Sequence, residues 1–391
     1  MSQQLAYVII TPYSLYKSRT GGILSRLITR TGLDFAGLRM FAPSVELIQE
    51  YAATLVSAED SLDRMIQELL RDYVLKNLSP DSKTGRRRRV MVMLFRGDEA
   101  VRKVRSVVGN LSPDRRGGET IRDTYSDLIM DDNGGGVRYF EPAVLAAPNA
   151  AEAEHKLKMW GHYSDTDGGV LENVITYPPN ETGERTLVLI KPDNFKFATG
   201  RPGNVIDFFS RTGLFIVGAK VLRMSTAQAM EFYGPVREFL RAKLKDGVSA
   251  KAKDILEKEF NFKISEADQK ALGDILGPIQ GDTQFDNIVR FMSGHAPGEI
   301  PKSDWSKPGT QKCIALVYEG IGAVNKIRDV LGPTDPSKAP PGSIRREFGS
   351  TIMVNAAHAS DSVENAQREF AIVKPGENNF KQVIEEVYGK L

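Results

Sequence analysis

The apolar positions of this chain fall into short strand-like runs and longer helical stripes. Residues 5–10 and 186–190 are compact apolar runs that stop at Thr11 and Pro12 and at Lys191 and Pro192, the pattern of a strand opening into a loop. Residues 90–95, 214–222 and 313–318 read as further strands, and those at 90–95 and 313–318 each lead into a helical stretch, one carrying Arg105 and the other Arg328. Residues 205–209 begin another helix. Leu62, Met65, Ile66, Leu69, Leu70, Tyr73 and Val74 recur at helical spacing, which predicts one face of an amphipathic helix packed on a core. The alternation of strand and helix predicts an α+β sandwich of the split βαβ type, an antiparallel sheet covered by helices.

The pattern occurs twice. Arg30, Thr31, Gly32 and Leu33 return as Arg211, Thr212, Gly213 and Leu214, an offset of 181, each set followed by Gly37 or Gly218. Ala100, Val101, Lys103, Arg105, Gly109, Pro113, Ile121 and Arg122 return as Ala323, Val324, Lys326, Arg328, Gly332, Pro336, Ile344 and Arg345, an offset of 223. Matches in the same order indicate an internal duplication, and the offsets differ by 223 − 181 = 42, which places extra material in the second copy. Two domains follow, 1–163 and 185–391, joined by a Gly-, Pro-, Asp- and Thr-rich linker at 164–184. The insertion lies at about 236–282, where Leu240, Leu244, Ile255, Leu256, Phe260, Leu272, Ile275 and Leu276 are spaced for two or three short helices forming a lid or contact surface.

A length of 391 residues suits two cores. Lys plus Arg number 52 against 50 Asp plus Glu, too even a balance to argue for a nucleic-acid or membrane-surface partner. Arg86 to Arg89 form a basic run, read as a solvated loop edge rather than a nucleic-acid site. Cys313 is the only cysteine, which excludes an intrachain disulfide and favours a reducing compartment. With no basic leader in residues 1–15 and no run of about 18 apolar residues, no targeting or spanning segment is expected and a cytoplasmic setting is inferred.

Candidate chemistry centres on one of four histidines. His155 sits in a charged helical run, His162 beside the linker and His295 in a Gly/Pro loop, all ordinary surface settings. His358 instead closes an apolar strand at 351–357 and precedes Asp361, Ser362, Val363 and Glu364, a capping-box-like helix start where backbone N–H groups suit anions. Lys191, Arg328 and Arg345 come from three different elements. Singly each is a solvated charge, but together they suit a polyphosphate, because guanidinium groups grip phosphate oxygens bidentately. Neither a Walker-type loop nor a dinucleotide glycine motif occurs.

Lys191-Pro192-Asp193, Leu331-Gly332-Pro333-Thr334, Ile344-Arg345 and above all the run from Asn355 through Ala356, Ala357, His358, Ala359 and Ser360 to Asp361 resemble the motifs of nucleoside diphosphate kinases. The resemblance spans most of 185–373 apart from the insertion, and more weakly 5–158. It implies ferredoxin-like domains and transfer of a γ-phosphate between nucleotides through a phosphohistidine, with Mg2+ carried by the nucleotide. His358 would be the nucleophile, Arg328, Thr334 and Arg345 would hold phosphates, and Lys191 and Asn355 would reach the ribose hydroxyls and the transferred group. Ser360 and Glu369 would orient the imidazole, with an exposed helix charge as the lesser alternative for Glu369. Asp361 would approach the Mg2+ through water, and no dense carboxylate cluster suggests a metal site built by the protein.

The base site departs from the family pattern, since the insertion separates Tyr233 from Phe285. Either aromatic could stack on a base, and either could equally be core. The resemblance implies nucleoside di- and triphosphates as substrates and a homo-oligomer in which fusion replaces one subunit contact by an intrachain pairing. In the first copy Thr11 stands for Lys191, Leu111 for Thr334 and Leu145 for His358, so that copy is expected to be silent. The alternative from another class is a nonenzymatic nucleotide sensor or assembly scaffold, prompted by the degenerate copy and the inserted helices.

Overall fold

The computed structural model describes residues 3–57, 63–111, 117–132 and 136–391. Leu62 and Pro113, used in the sequence reading, lie outside the described residues. Among the described residues ten strands run in chain order: β1 Gln4–Ile10, β2 Asp34–Phe41, β3 Val90–Gly97, β4 Asp127–Met130, β5 Val137–Glu141, β6 Val144–Leu145, β7 Glu184–Ile190, β8 Phe215–Leu222, β9 Cys313–Gly320 and β10 Ala357–Ala359. They form two four-stranded sheets with helices, ordered β2-β3-β1-β6 and β8-β9-β7-β10, plus the hairpin β4-β5. The two four-stranded orders are the same when each strand is matched to its counterpart. The fold is therefore α+β, and β1 and β7, each antiparallel to both its neighbours, are the matching central strands.

Contacts divide the chain into two compact units, one of Met1–Val221, Ile314–Phe370 and Lys374–Leu391, the other of Leu222–Cys313 and Ala371–Val373. The first unit holds both four-stranded sheets. Its two copies meet at the helices Thr20–Thr31 and Arg201–Phe209, which approach closely because Gly21 faces Gly203: a Cβ on Gly21 would lie 2.2 Å from the Gly203 carbonyl oxygen. Arg19, at the N-cap of the first of these helices, makes no side-chain cap bond. Asp207 of the second helix caps it instead, accepting from the N–H groups of Gly21 and Gly22, and burial pushes its carboxyl up to about 6.

The linker is a strap between the sheet edges, not a loose tether. Ala42 N–H donates to Asp167 O, Gly169 N–H to Met40 O and Leu171 N–H to Val217 O, so residues 167–171 join β2 to β8. Arg39, 3% exposed, donates from Nε to Ser164 O and from its terminal nitrogens to the carbonyls of Gly376 and Glu377. The basic run is not a simple solvated edge, because Arg87 pairs with Asp167 and Arg89 donates to Ile216 O on β8. The C-terminal helix Asn379–Tyr388 lies on the first copy, with Phe380 edge-on to Phe41 and Tyr388 donating to Leu5 O.

Two helix readings change. The helix expected to begin at 205 starts at Arg201, where Pro202 fits the first turn because its missing N–H has no helical partner there. The insertion holds long helices rather than short ones: Thr226–Lys243, Lys245–Phe260 and the 28-residue Glu266–Ser293. Gly273, Gly277 and Gly281 lie along one side of the last helix, within about a side chain's breadth of Ser249, Lys245 and Arg241, and let the three helices pack closely. Arg237 and Arg241 both bind Asp282, which draws its carboxyl far below the usual carboxylate range.

Candidate active site

The strand expected over 351–357 is shorter and later than its apolar pattern predicts. Only Ala357–Ala359 is extended, with His358 at its centre opposite Leu189 of β7. The preceding residues turn instead, because Ala356 takes a left-handed φ of +69° and Val354 O accepts from the N–H groups of Ser350 and Thr351. A largely continuous apolar run cannot announce such a break, which depends on side chains reaching in from other elements.

His358 keeps a quarter of its side chain exposed and sets Nε2 2.9 Å from Glu369 Oε1. Ser360 Oγ donates to Glu369 Oε2 at 2.6 Å. Glu369 is buried, not an exposed helix charge, and projects from the helix Val363–Val373, whose Ser362 cap accepts from Asn365 N–H. An ionised carboxylate offers only acceptors, so this contact selects the tautomer protonated at Nε2 and puts the imidazole lone pair on Nδ1.

Lys191, directly after β7, donates from Nζ to Asn355 Oδ1 at 2.8 Å and to Met353 O. Asn355 Nδ2 in turn donates to Thr334 O and Ile352 O. Arg345 donates to Gly332 O and Ala357 O, so its guanidinium braces the strand of His358. Arg328 is exposed on the helix Ala323–Leu331 and no described residue pairs with it. Lys191, Thr334, Arg345, Asn355, His358, Ser360 and Glu369 are thus linked through short contacts in one unit. Tyr233 and Phe285 lie in the other unit, where Phe285 is 2% exposed beneath Arg237 and Tyr233 packs on Phe232.

Three neighbours had no role assigned from the sequence. Asp193 Oδ2 accepts from Arg201 at 2.7 Å and from Ala356 N–H at 3.3 Å, and Asn194 Nδ2 donates to both Lys191 O and Ala356 O. Burial raises the Asp193 carboxyl while Lys191 and Arg201 oppose the rise. Asp193 stands within a motif quoted above, but a contact from a turn to the start of the next helix, eight residues on, leaves no periodic signal.

The first copy repeats this framework with other chemistry. Ile9 faces Leu145 as Leu189 faces His358, and Arg122 donates to Gly109 O and Val144 O as Arg345 does to Gly332 O and Ala357 O. Ala143, like Ala356, has a positive φ, +62°. Counting from the helix caps Asn149 and Ser362 puts Lys156 at the position of Glu369. Lys156 is buried against Glu152, so an ammonium replaces the orienting carboxylate. Where Lys191 meets Asn355, Thr11 donates to Glu141, whose other oxygen accepts from Tyr73 OH at 2.6 Å. Burial raises the Glu141 carboxyl, which also accepts from Ala143 N–H.

Fold and residues together define an α+β protein that presents a carboxylate-oriented histidine at a sheet edge, among lysine and arginine side chains. A family model described as nucleoside diphosphate kinase matches residues 184–242 and 261–378. The nucleoside diphosphate kinase of Wolinella succinogenes is 33% identical over 193 residues, 49% of this chain and 96% of the relative. That of Staphylothermus marinus is 30% identical over 190 residues, covering 49% and 92%. A crystal structure of an NDP kinase from Pyrobaculum aerophilum is similar with 28% identity and a TM-score of 0.32, covering 49% of this chain and 94% of that one. The chain belongs to the nucleoside diphosphate kinase family through its C-terminal half, and its N-terminal half adds α+β structure that the family match does not reach. No described helix is long and apolar enough to cross a membrane.

Proposed function

We propose that the C-terminal copy, 185–391, is a cytoplasmic nucleoside diphosphate kinase that works through a phosphohistidine at His358. The observation that carries this is the His358–Glu369–Ser360 chain, which directs the imidazole lone pair away from the carboxylate. In the first half-reaction Nδ1 attacks the γ-phosphorus, the bond from phosphorus to the β-bridging oxygen breaks, and nucleoside diphosphate leaves with that electron pair. In the second, a terminal oxygen of another nucleoside diphosphate attacks the phosphohistidine, the P–N bond breaks, and neutral His358 returns. Glu369 stabilises the positive charge that the ring acquires between the two steps.

Arg328, Arg345 and Lys191 offset phosphate charge, Thr334 and Asn355 complete the contacts, and Mg2+ enters on the nucleotide as part of the substrate. Among the described residues no three His, Cys, Asp or Glu side chains gather to hold a metal. Phe285 is 2% exposed and committed to packing within its helices, which leaves Tyr233 as the aromatic of the two with some surface of its own. The first copy, 1–163 with the strap 164–184, is read as a silent partner that replaces a subunit contact.

The test is brief exposure of the full chain to γ-labelled ATP with Mg2+, then to unlabelled GDP. The expected result is one acid-labile phosphate per chain, chased to GTP and absent from His358→Ala. A His358→Ala protein that still labels and transfers would overturn the mechanism, and binding of nucleotide without any labelling of the parent protein would favour a sensor. Solution mass of the same preparation reports its homo-oligomeric state.

A further inference from the structure

The ion pair between Arg201 and the carboxylate of Asp193 is used by no step above, and it exists only in the copy that carries the histidine. Matching Thr11 to Lys191 places Tyr13 at Asp193, so the first copy lacks the carboxylate, while Arg19 donates to Tyr125 O much as Arg201 donates to Phe348 O and lies over the Tyr13 ring instead of pairing with an acid. Part of the surrounding framework is common to both copies. Ser14 Oγ donates to Ala143 O as Asn194 Nδ2 donates to Ala356 O, gripping the carbonyl of the left-handed residue in each case. That shared grip is architecture. The second copy adds the Arg201–Asp193 charge pair on top of it.

We propose that Arg201 and Asp193 are positioning residues for phosphoryl transfer, holding the Lys191 turn and the Asn355–His358 segment in one register. Arg201 donates to Asp193 Oδ2 at 2.7 Å, from Nε to Asn194 Oδ1 at 3.1 Å, and to Phe348 O. Asp193 passes this hold to Ala356 N–H, and Asn194 passes it to the carbonyls of Lys191 and Ala356. Among the described residues Asp193 Oδ1 is buried with no hydrogen-bond partner, and Arg201 is the cation that donates to the other oxygen of this carboxylate. Ala356 therefore receives Asp193 on its nitrogen and Asn194 on its oxygen, which keeps a non-glycine residue left-handed one position after Asn355 and two before His358. A chain that relaxed here would rotate the Asn355 amide off Lys191 and tilt the imidazole relative to the transferred phosphorus.

The inference rests on the kinase reading for its rate effect but not for its structural one, and the experiment separates them. Arg201→Met, Arg201→Lys and Asp193→Asn are made in the full chain labelled with 15N-histidine. Single-turnover labelling of His358 is followed at saturating Mg-ATP, with KM and thermal melting measured alongside. Arg201→Met should slow His358 labelling about 10- to 100-fold, the scale of a catalytic group displaced by about an ångström. KM should stay nearly constant, and Arg201→Lys should recover part of the rate because its ammonium can still pair with Asp193. The His358 imidazole signals should move while those of His155, His162 and His295 stay. A loss confined to KM, a loss that merely follows melting, or unmoved His358 signals would overturn the positioning role. If the parent protein never labels, the kinase reading fails, and the imidazole signals still decide whether Arg201 sets the histidine.

Discussion

Replacing Glu369 by glutamine keeps the size and one acceptor of the side chain but removes its charge at the point where the ring becomes cationic. The carboxylate is 4% exposed, lies 2.9 Å from His358 Nε2 and also accepts the Ser360 hydroxyl, so solvent screens it little. A hydrogen bond to a charged group contributes about 1.5–3 kcal/mol. At about 1.4 kcal/mol per tenfold, losing the charged part of this contact should slow His358 phosphorylation about 10- to 150-fold at saturating nucleotide. KM should hardly change, because the charge on the ring develops after binding. Glu369→Ala should be slower still, since it strands the Ser360 hydroxyl and the ring N–H in a buried site and leaves the tautomer unset. The assay is rapid-quench labelling from γ-labelled ATP, with a melting curve to show that each variant is folded. A Glu369→Gln protein within twofold of the parent, or one whose defect lies wholly in KM, would refute the role given to this carboxylate.

Arg328→Ala should lose about 10- to 150-fold in transfer rate with no change in melting, since the side chain is exposed and unpaired among the described residues, whereas Arg105→Ala at the matching position of the first copy should leave transfer unaltered. Equal rates in the two variants would remove Arg328 from the phosphate site. Leu145→His should add no second acid-labile phosphate, because Lys156 replaces the orienting carboxylate and Glu141, Tyr73 and Thr11 bond one another beside it; two labels per chain would contradict the silent reading. Asp207 has a carboxyl raised to about 6, so the native state holds its proton more tightly than the unfolded chain and this contribution to stability, present near pH 4, is lost as pH rises through about 6. The full shift corresponds to about 3 kcal/mol, reduced to about 1–2 kcal/mol because the group is partly exposed. Asp207→Asn should therefore be more stable than the parent at pH 7.5 by roughly 1 kcal/mol, with a flatter pH dependence in urea unfolding; a less stable variant at pH 7.5 would reverse the sign.

Sequence periodicity alone carried β1, β3, β7, β8 and β9, because the central strands β1, β3, β7 and β9 are buried along nearly their whole length and read as unbroken apolar runs, whereas the edge strands β2 and β6 go unpredicted and β10 falls later than its apolar pattern. The duplication was legible for a related reason: Arg122 and Arg345 brace the same carbonyls in each copy, and residues with a repeated structural task persist in spacing. His358 stands out in the sequence because no other histidine closes an apolar run ahead of a capped helix start. What tertiary structure alone decided are the contacts between residues distant in sequence. Glu369 becomes buried only when its helix packs behind β10. The linker composition reads as flexible, yet Arg39 and the two sheet edges bind it, because backbone donors at an open edge find partners wherever chain is brought near. The break at Ala356 and the Arg201–Asp193 hold are of the same kind. Apolar pattern records which faces are buried, whereas polar side chains choose partners by three-dimensional proximity, and that choice leaves no period in the sequence.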